Sequence, residues 1–258
     1  TWDVVNEPTE GMKYAKQRSA TALLGSLQKY GTVPVVAHSF KLARGANPQA
    51  TLILNDFNTS ADFEEIIKNT IELDVPYDAI GIQSHMHSGY WGVEKTWEIC
   101  ERFAKFGKPL HFTELTIVSG RLKSKFDHDW QTKRTDWKST AEGEQRQSQQ
   151  VREIYHLLFS HPAVEAISWW DLSDRHAWQG APGGLLRDDL QPKHAFYVIR
   201  DLVKKGWTTN VDLPLQGGSI SLRGFYGDYV VSANVDGRVF GGTFKLTRGV
   251  EKGQVRLK

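Results

Sequence analysis

The sequence predicts an α/β fold in which a parallel sheet curls into a barrel wrapped by helices, with a small all-β module after it. Three observations predict this. Short apolar runs rich in β-formers alternate with helical stretches, the pattern of parallel βαβ units. Those runs are apolar nearly throughout instead of alternating, so both faces of the sheet are covered. Polar residues gather at the C-terminal end of run after run, and in a (β/α) barrel those ends share one mouth.

Taken in order, the first run is Trp2–Asn6, which stops at Glu7 and Pro8. A helical pattern at Val35–Arg44 leads to Thr51–Asn55 (TLILN), and Ala61–Leu73 leads to Ala79–Gln83 (AIGIQ). Val93–Phe106 precedes Leu110–Glu114 (LHFTE), Glu142–Phe159 precedes Ala166–Trp170 (AISWW), and Lys193–Lys204 is a last helix. Five runs do not close an eight-stranded barrel. The expectation is therefore a (β/α)8 TIM barrel of which residues 1–206 supply about five βα units. Three further units would come from the N-terminal side, on another polypeptide or on a part of the same protein outside this sequence. A half barrel with open sheet edges is not expected to be stable alone. After Lys205 the texture turns to Gly-punctuated β sequence, and Asp236–Gly237 between two alternating runs is a strong hairpin signal. Residues 207–258 read as a small β-sandwich-like module in which Phe225 and Tyr226 could touch carbohydrate, a packing or spacer role being the plainer expectation.

Composition narrows the partners. Lys+Arg at 32 against Asp+Glu at 30 leaves a formal charge of +2, too balanced to favour nucleic acid or an anionic membrane. With Cys100 alone, no intrachain disulfide and no cysteine metal cluster can form. No apolar stretch approaches the roughly 20 residues of a membrane span. Residues 1–25 lack the basic start and apolar middle of a signal peptide. Nine Trp are present, and Trp91, Trp130, Trp137 and Trp178 sit beside polar residues in loop-like sequence. Flat rings near polar groups suit sugar faces, although packing is the commoner use of a single Trp.

The strand ends bring Asn6 and Glu7, Asn55 and Asp56, Gln83 and His85, Thr113 and Glu114, and Trp170 and Asp171 to one rim. Two carboxylates converging there, Glu7 and Glu114, are what glycoside hydrolysis requires: one protonates the leaving oxygen while the other attacks the anomeric carbon or activates water. Asn6, beside the first, can hydrogen-bond a sugar 2-hydroxyl.

WDVVNEP, LILNDFN, AIGIQSHMH, HFTELTI and VEAISWWDLSDRHAW with LLRDDLQPKHAF are five motifs in order. Together they resemble the fourth to eighth strand ends of glycoside hydrolase family ten, the retaining endo-β-1,4-xylanases. The resemblance implies Glu7 as general acid/base, Glu114 as nucleophile, Gln83 and His85 against the nucleophile, and Trp170 and Trp178 as walls of the sugar site. Asn55 and Asp56 fit a supporting role. It further implies xylan or xylo-oligosaccharide as substrate, no cofactor, and a secreted or periplasmic location. Three features depart from the family pattern, the largest being that the family's first three strands are not in this sequence. Thr116 stands two positions after Glu114 where the family usually has an acid or its amide, which there holds the histidine. A long polar loop, Val118–Ala141, is expected to edge the cleft or to be a solvated insertion.

Rival readings remain at this point. His85, His87 and His111 with Asp56 and Glu114 could suggest zinc, but His111 lies mid-strand, so no metal is expected. Another retaining activity on β-1,4-glycans such as cellulose is the nearest alternative, and a non-catalytic glycan-binding protein the next.

Overall fold

The structure, a computed structural model, describes residues 1–11, 21–122, 134–214, 220–247 and 249. The remainder of the Val118–Ala141 loop, with Trp130, and the remainder of the β module lie outside the described residues. Two compact units divide the chain, Thr1–Ile199 and Arg200–Lys258.

In the first unit the strands are β1 (Trp2–Asn6), β2 (Leu52–Asp56), β3 (Ala79–Ile82), β4 (His85–Met86), β5 (Leu110–Ile117) and β6 (Val164–Trp169). The helices are α1 (Thr21–Tyr30), α2 (Thr32–Ala46), α3 (Ala61–Glu72), α4 (Gly92–Ala104) and α5 (Ala141–Ser160), with α6 (His194–Asp201) at the boundary. All strand pairs are parallel, in the order β1, β2, β3, β5, with β4 and β6 also on β5. β3 and β4 occupy one barrel position, interrupted at Gln83 and Ser84, where Ser84 turns to φ 57°. Five strand positions of a (β/α)8 barrel are thus present.

The apolar runs explain the layering. β2 and β3 are buried at every position, whereas β1 and β6, the two end strands, are partly exposed. Helix α3 turns Phe63, Ile67 and Thr70 inward at helical spacing, and Phe63 packs on Phe103 of α4 with ring centroids 5.6 Å apart. Caps fix where helices start: the Ser60 hydroxyl accepts from Asp62 N at 3.3 Å and the Thr140 hydroxyl from Gly143 N at 3.0 Å. Asp62, Glu64, Glu142 and Glu144 place negative charge in those first turns.

The observed strands fall within two residues of the predicted starts, but β5 runs on to Ile117. Helix α1 was not anticipated, because Gly25 and Ser26 interrupt its apolar pattern. The last helix closes earlier than predicted, with a widened π turn over Leu202–Gly206.

In the second unit β7 (Gly227–Val235) and β8 (Arg238–Leu246) form an antiparallel hairpin. Its turn places Asp236 at φ 51° and Gly237 at φ 82°, the double left-handed geometry of a type I′ turn. Tyr229 and Phe244 face each other across the ladder with centroids 4.7 Å apart.

Candidate active site

The site begins with how β1 ends. Glu7 adopts a left-handed conformation, φ 55° and ψ 53°, which a non-glycine residue holds at a cost of about 1 kcal/mol. That twist ends the strand and starts the turn at Pro8. The turn is pinned by Asp56, fully buried at the end of β2, which accepts from Thr9 N at 3.0 Å and from the Thr9 hydroxyl at 2.8 Å. Burial pushes the Asp56 carboxyl above its usual range, and the bonds from Asn58 and Thr9 offset part of that rise. Glu7 is held in turn by its own N–H to Asn55 O, 2.8 Å away.

Asn55 is the centre of the network. Its amide nitrogen donates to Glu114 Oε1 at 2.9 Å, to Asp3 Oδ2 at 2.8 Å and to Asn6 Oδ1 at 3.0 Å. Two hydrogens serve three acceptors, so one bond is shared. The Thr113 hydroxyl donates to Asn55 Oδ1 at 2.7 Å and so fixes which way the amide faces. A register shift in β1 between Asp3 and Val5 lets Asp3 and Asn6 reach the same amide. Gly81 makes the space: a Cβ there would lie 2.3 Å from Asn55 Oδ1 and 2.8 Å from Ile53 Cγ2.

Gln83, buried at the break between β3 and β4, donates from Nε2 to Glu7 Oε1 and to Asn6 Oδ1, both at 3.0 Å. Its carbonyl accepts from Glu114 N at 3.1 Å. One side chain and one carbonyl therefore tie the two glutamates together. On the other side of Glu114, His85 Nε2 lies 3.0 Å from Oε2. His85 Nδ1 is 3.4 Å from the Thr116 hydroxyl, which is also 3.2 Å from Glu114 O. The Thr116 hydroxyl donates its one hydrogen to Glu114 O, so toward His85 it offers a lone pair, and a proton on Nδ1 suits it as it would suit a carboxylate.

Trp170 and Trp178 pack round His85, at 5.8 Å edge-on and 5.3 Å stacked. Both are about half exposed, 46% and 41%, which leaves ring surface open. Behind them, His87 meets Trp178 at 5.0 Å and Trp137 at 6.2 Å. Trp137 belongs to the described part of the polar loop and is buried with Val118 and Ala181. His111 faces Glu165 at 3.2 Å, away from this group. Among the described residues no cluster of His, Cys, Asp or Glu is placed to hold a metal ion.

The structure thus brings Asn6, Glu7, Asn55, Gln83, His85 and Glu114 into one hydrogen-bonded set, with Asp56 beneath the turn and Trp170 and Trp178 against the histidine. Sequence reasoning missed Asp3, Thr9 and the orienting contact of Thr113. Asp3 had one readable signal, a lone acid inside an apolar strand. The residue is exposed on its strand, yet protein crowded round the carboxyl desolvates it. That burial, opposed by the Asn55 bond and reinforced by Glu114, Glu7 and Asp56, pushes its pKa up to about 6.

Such a pair of carboxylates, joined by amides at one end of a parallel sheet and flanked by open indole faces, can transfer a proton and attack a carbon in one sugar ring. Comparison with known proteins identifies the family. The chain is 28% identical over 225 residues to endo-1,4-beta-xylanase B of Thermotoga neapolitana, covering 79% of the chain and 56% of that relative. It is also 32% identical over 125 residues to an anti-sigma-I factor of Acetivibrio thermocellus, 48% of the chain and 16% of that protein. The crystal structure of xylanase XynB from Paenibacillus barcinonensis shares the fold, with a TM-score of 0.58 at 24% identity over 77% of this chain and 61% of that one. The chain spans little more than half the length of the first of these relatives. Residues 1–202 match the family model of glycosyl hydrolase family 10, and the chain belongs to that family.

Proposed function

We propose that the protein is an endo-acting hydrolase of β-1,4-xylan working by retaining double displacement. The observation that carries this is the pairing of Glu7 and Glu114 through Gln83 and Asn55. In the first step a Glu114 oxygen bonds to the anomeric carbon while the glycosidic bond breaks and Glu7 gives its proton to the departing oxygen. In the second, water attacks the same carbon, the bond to Glu114 breaks, and Glu7 takes the water's proton. His85 orients the Glu114 carboxylate, Asn6 meets the 2-hydroxyl, and Trp170 and Trp178 wall the sugar. No cofactor or metal enters this scheme. We further infer that three more βα units complete the barrel, from the same protein or another polypeptide. β1 and β6 each pair with a single neighbour among the described residues, which fits closure by further strands. A polymeric substrate fits a secreted or periplasmic location, and no described helix is long and apolar enough to cross a membrane.

The test is intact-mass spectrometry after incubation with a 2-deoxy-2-fluoro-xylobioside carrying a good leaving group. One added disaccharide mapping to Glu114, absent in Glu114→Ala, is expected. An adduct from the corresponding cellobioside alone would move the substrate to a glucan. One relative is named an anti-sigma-I factor and not a hydrolase, so the second reading is a chain that keeps the cleft and binds glycan without turnover. Binding of xylo-oligosaccharide with neither adduct nor cleavage would establish it.

A further inference from the structure

The segment that carries Trp170 and Trp178 is bonded to a buried cation that the proposed chemistry does not use. Lys193 is completely buried. Its ammonium donates to Asp174 Oδ1 at 2.7 Å, to the Ser119 hydroxyl at 2.9 Å and to Pro182 O at 3.4 Å, so each of its three hydrogens has an acceptor. These acceptors belong to two different connections. Ser119 follows β5, the strand of Glu114; Asp174 and Pro182 belong to the segment after β6, which carries Trp170 and Trp178.

The joint is reinforced from both sides. Ser119 N donates to Pro182 O at 2.9 Å, and the Ser119 hydroxyl lies 2.8 Å from that of Ser139. Ser139 donates to Glu144 Oε1 at 3.1 Å, and Glu144 is gripped at both oxygens by Arg187, at 2.7 and 2.5 Å. On the loop itself, Asp174 Oδ1 accepts from Gly184 N at 2.8 Å and Asp174 O from Ala177 N at 3.2 Å. Asp174 therefore fixes the turn on which Trp178 sits. Two cations, Lys193 and Arg187, balance two anions, Asp174 and Glu144.

A buried ion pair adds little net stability beside an apolar replacement of the same shape, and its best-attested use is to select one geometry over others. The geometry selected here is the distance between the C-terminal end of β5, the strand of Glu114, and the turn of Trp178. We propose that Lys193 is a positioning residue for the sugar-facing wall, its ammonium tying the Trp178 segment to the segment that follows Glu114. This rests on the reading of Trp178 as part of a sugar site.

Lys193→Met alone strands the Asp174 charge and risks the fold. The decisive variant is therefore Lys193→Met with Asp174→Asn, in which the new side-chain amide keeps an oxygen for Gly184 N. Hydrogen exchange without substrate is expected to quicken about tenfold across 171–184 while β2 and β3 stay as they were. Unchanged exchange in 171–184, or an equal rise everywhere, overturns the proposal. The second arm is kinetic. The paired substitution is expected to lower kcat/KM on xylo-oligosaccharide about tenfold in the native background but less than about twofold in Trp178→Ala, because coupled residues do not add. Equal losses in both backgrounds overturn it. Should the native protein cleave no β-1,4-glycan, the hydrolase reading falls, and exchange alone decides the role of Lys193.

Discussion

The strands that deliver the two glutamates are built differently. β5 lies between β3 with β4 on one side and β6 on the other, is buried at seven of its eight positions, and holds Glu114 at 9% exposure. β1 has β2 as its one neighbour among the described residues, is exposed or partly exposed along its length, and reaches its functional position only through a left-handed Glu7. Glu114 is thus placed by the sheet, and Glu7 chiefly by side chains, Asp56 through Thr9 and Gln83, with one backbone bond to Asn55 O. The difference suits the proposed division of labour. A nucleophile that becomes covalently attached to sugar needs a fixed, dry setting, while a carboxyl that twice exchanges a proton needs access to water.

The comparison can be broken at several points. Glu114→Ala should cost on the order of 10⁴-fold or more in kcat on xylan, as removal of a nucleophile does; a loss below tenfold would take Glu114 out of that role. Glu7→Ala should cost about 10²- to 10⁴-fold on substrates with poor leaving groups and far less on an aryl glycoside whose leaving group needs no proton. Equal losses on both substrates would remove the general-acid assignment.

If β1 depends on side-chain anchors, Asp56→Ala should destabilise the fold by about 1.5–3 kcal/mol, seen in denaturant unfolding, since it leaves Thr9 N and Asn58 N without their buried acceptor. A change within error would mean that the sheet alone places Glu7. The smallest effect concerns Asp3. Its folded pKa of about 6 lies above the ordinary 3.8, so between those values the folded state binds more protons than the unfolded one, and its contribution to stability falls as pH rises through that window. Asp3→Asn should therefore gain in melting temperature relative to the native protein between pH 4 and pH 7. A gap that stays constant with pH would show that the carboxyl is not desolvated.

Much of this was legible in the chain because burial on both sheet faces writes itself as apolar runs, and the residues ending those runs are the ones at the mouth. The run AIGIQ could be read as a strand, but the break at Ser84 and the return of pairing at His85 depend on a backbone twist and on where β5 happens to lie. Helix α1 was hidden by Gly25 and Ser26, whose low propensity is overridden by packing of Leu27. Glu7 and Glu114 were found as the ends of apolar runs, although β5 continues past Glu114 to Ile117. The three-way sharing of the Asn55 amide was not, since it follows from register between β1 and β2, and register is a property of pairs of strands. Trp137 was readable only as a loop aromatic, and its place behind His87 required the fold.

Gly81 carries a lesson for anyone who would reshape this protein. It offers no side chain, yet even a methyl group there would collide with Asn55, whose amide holds the Glu114 carboxylate and whose carbonyl holds Glu7 N. A library that randomises the strand ends to change substrate preference should leave position 81 fixed. Dead clones arising there would report a displaced amide, and counting them as evidence about specificity would misdirect the next round of selection.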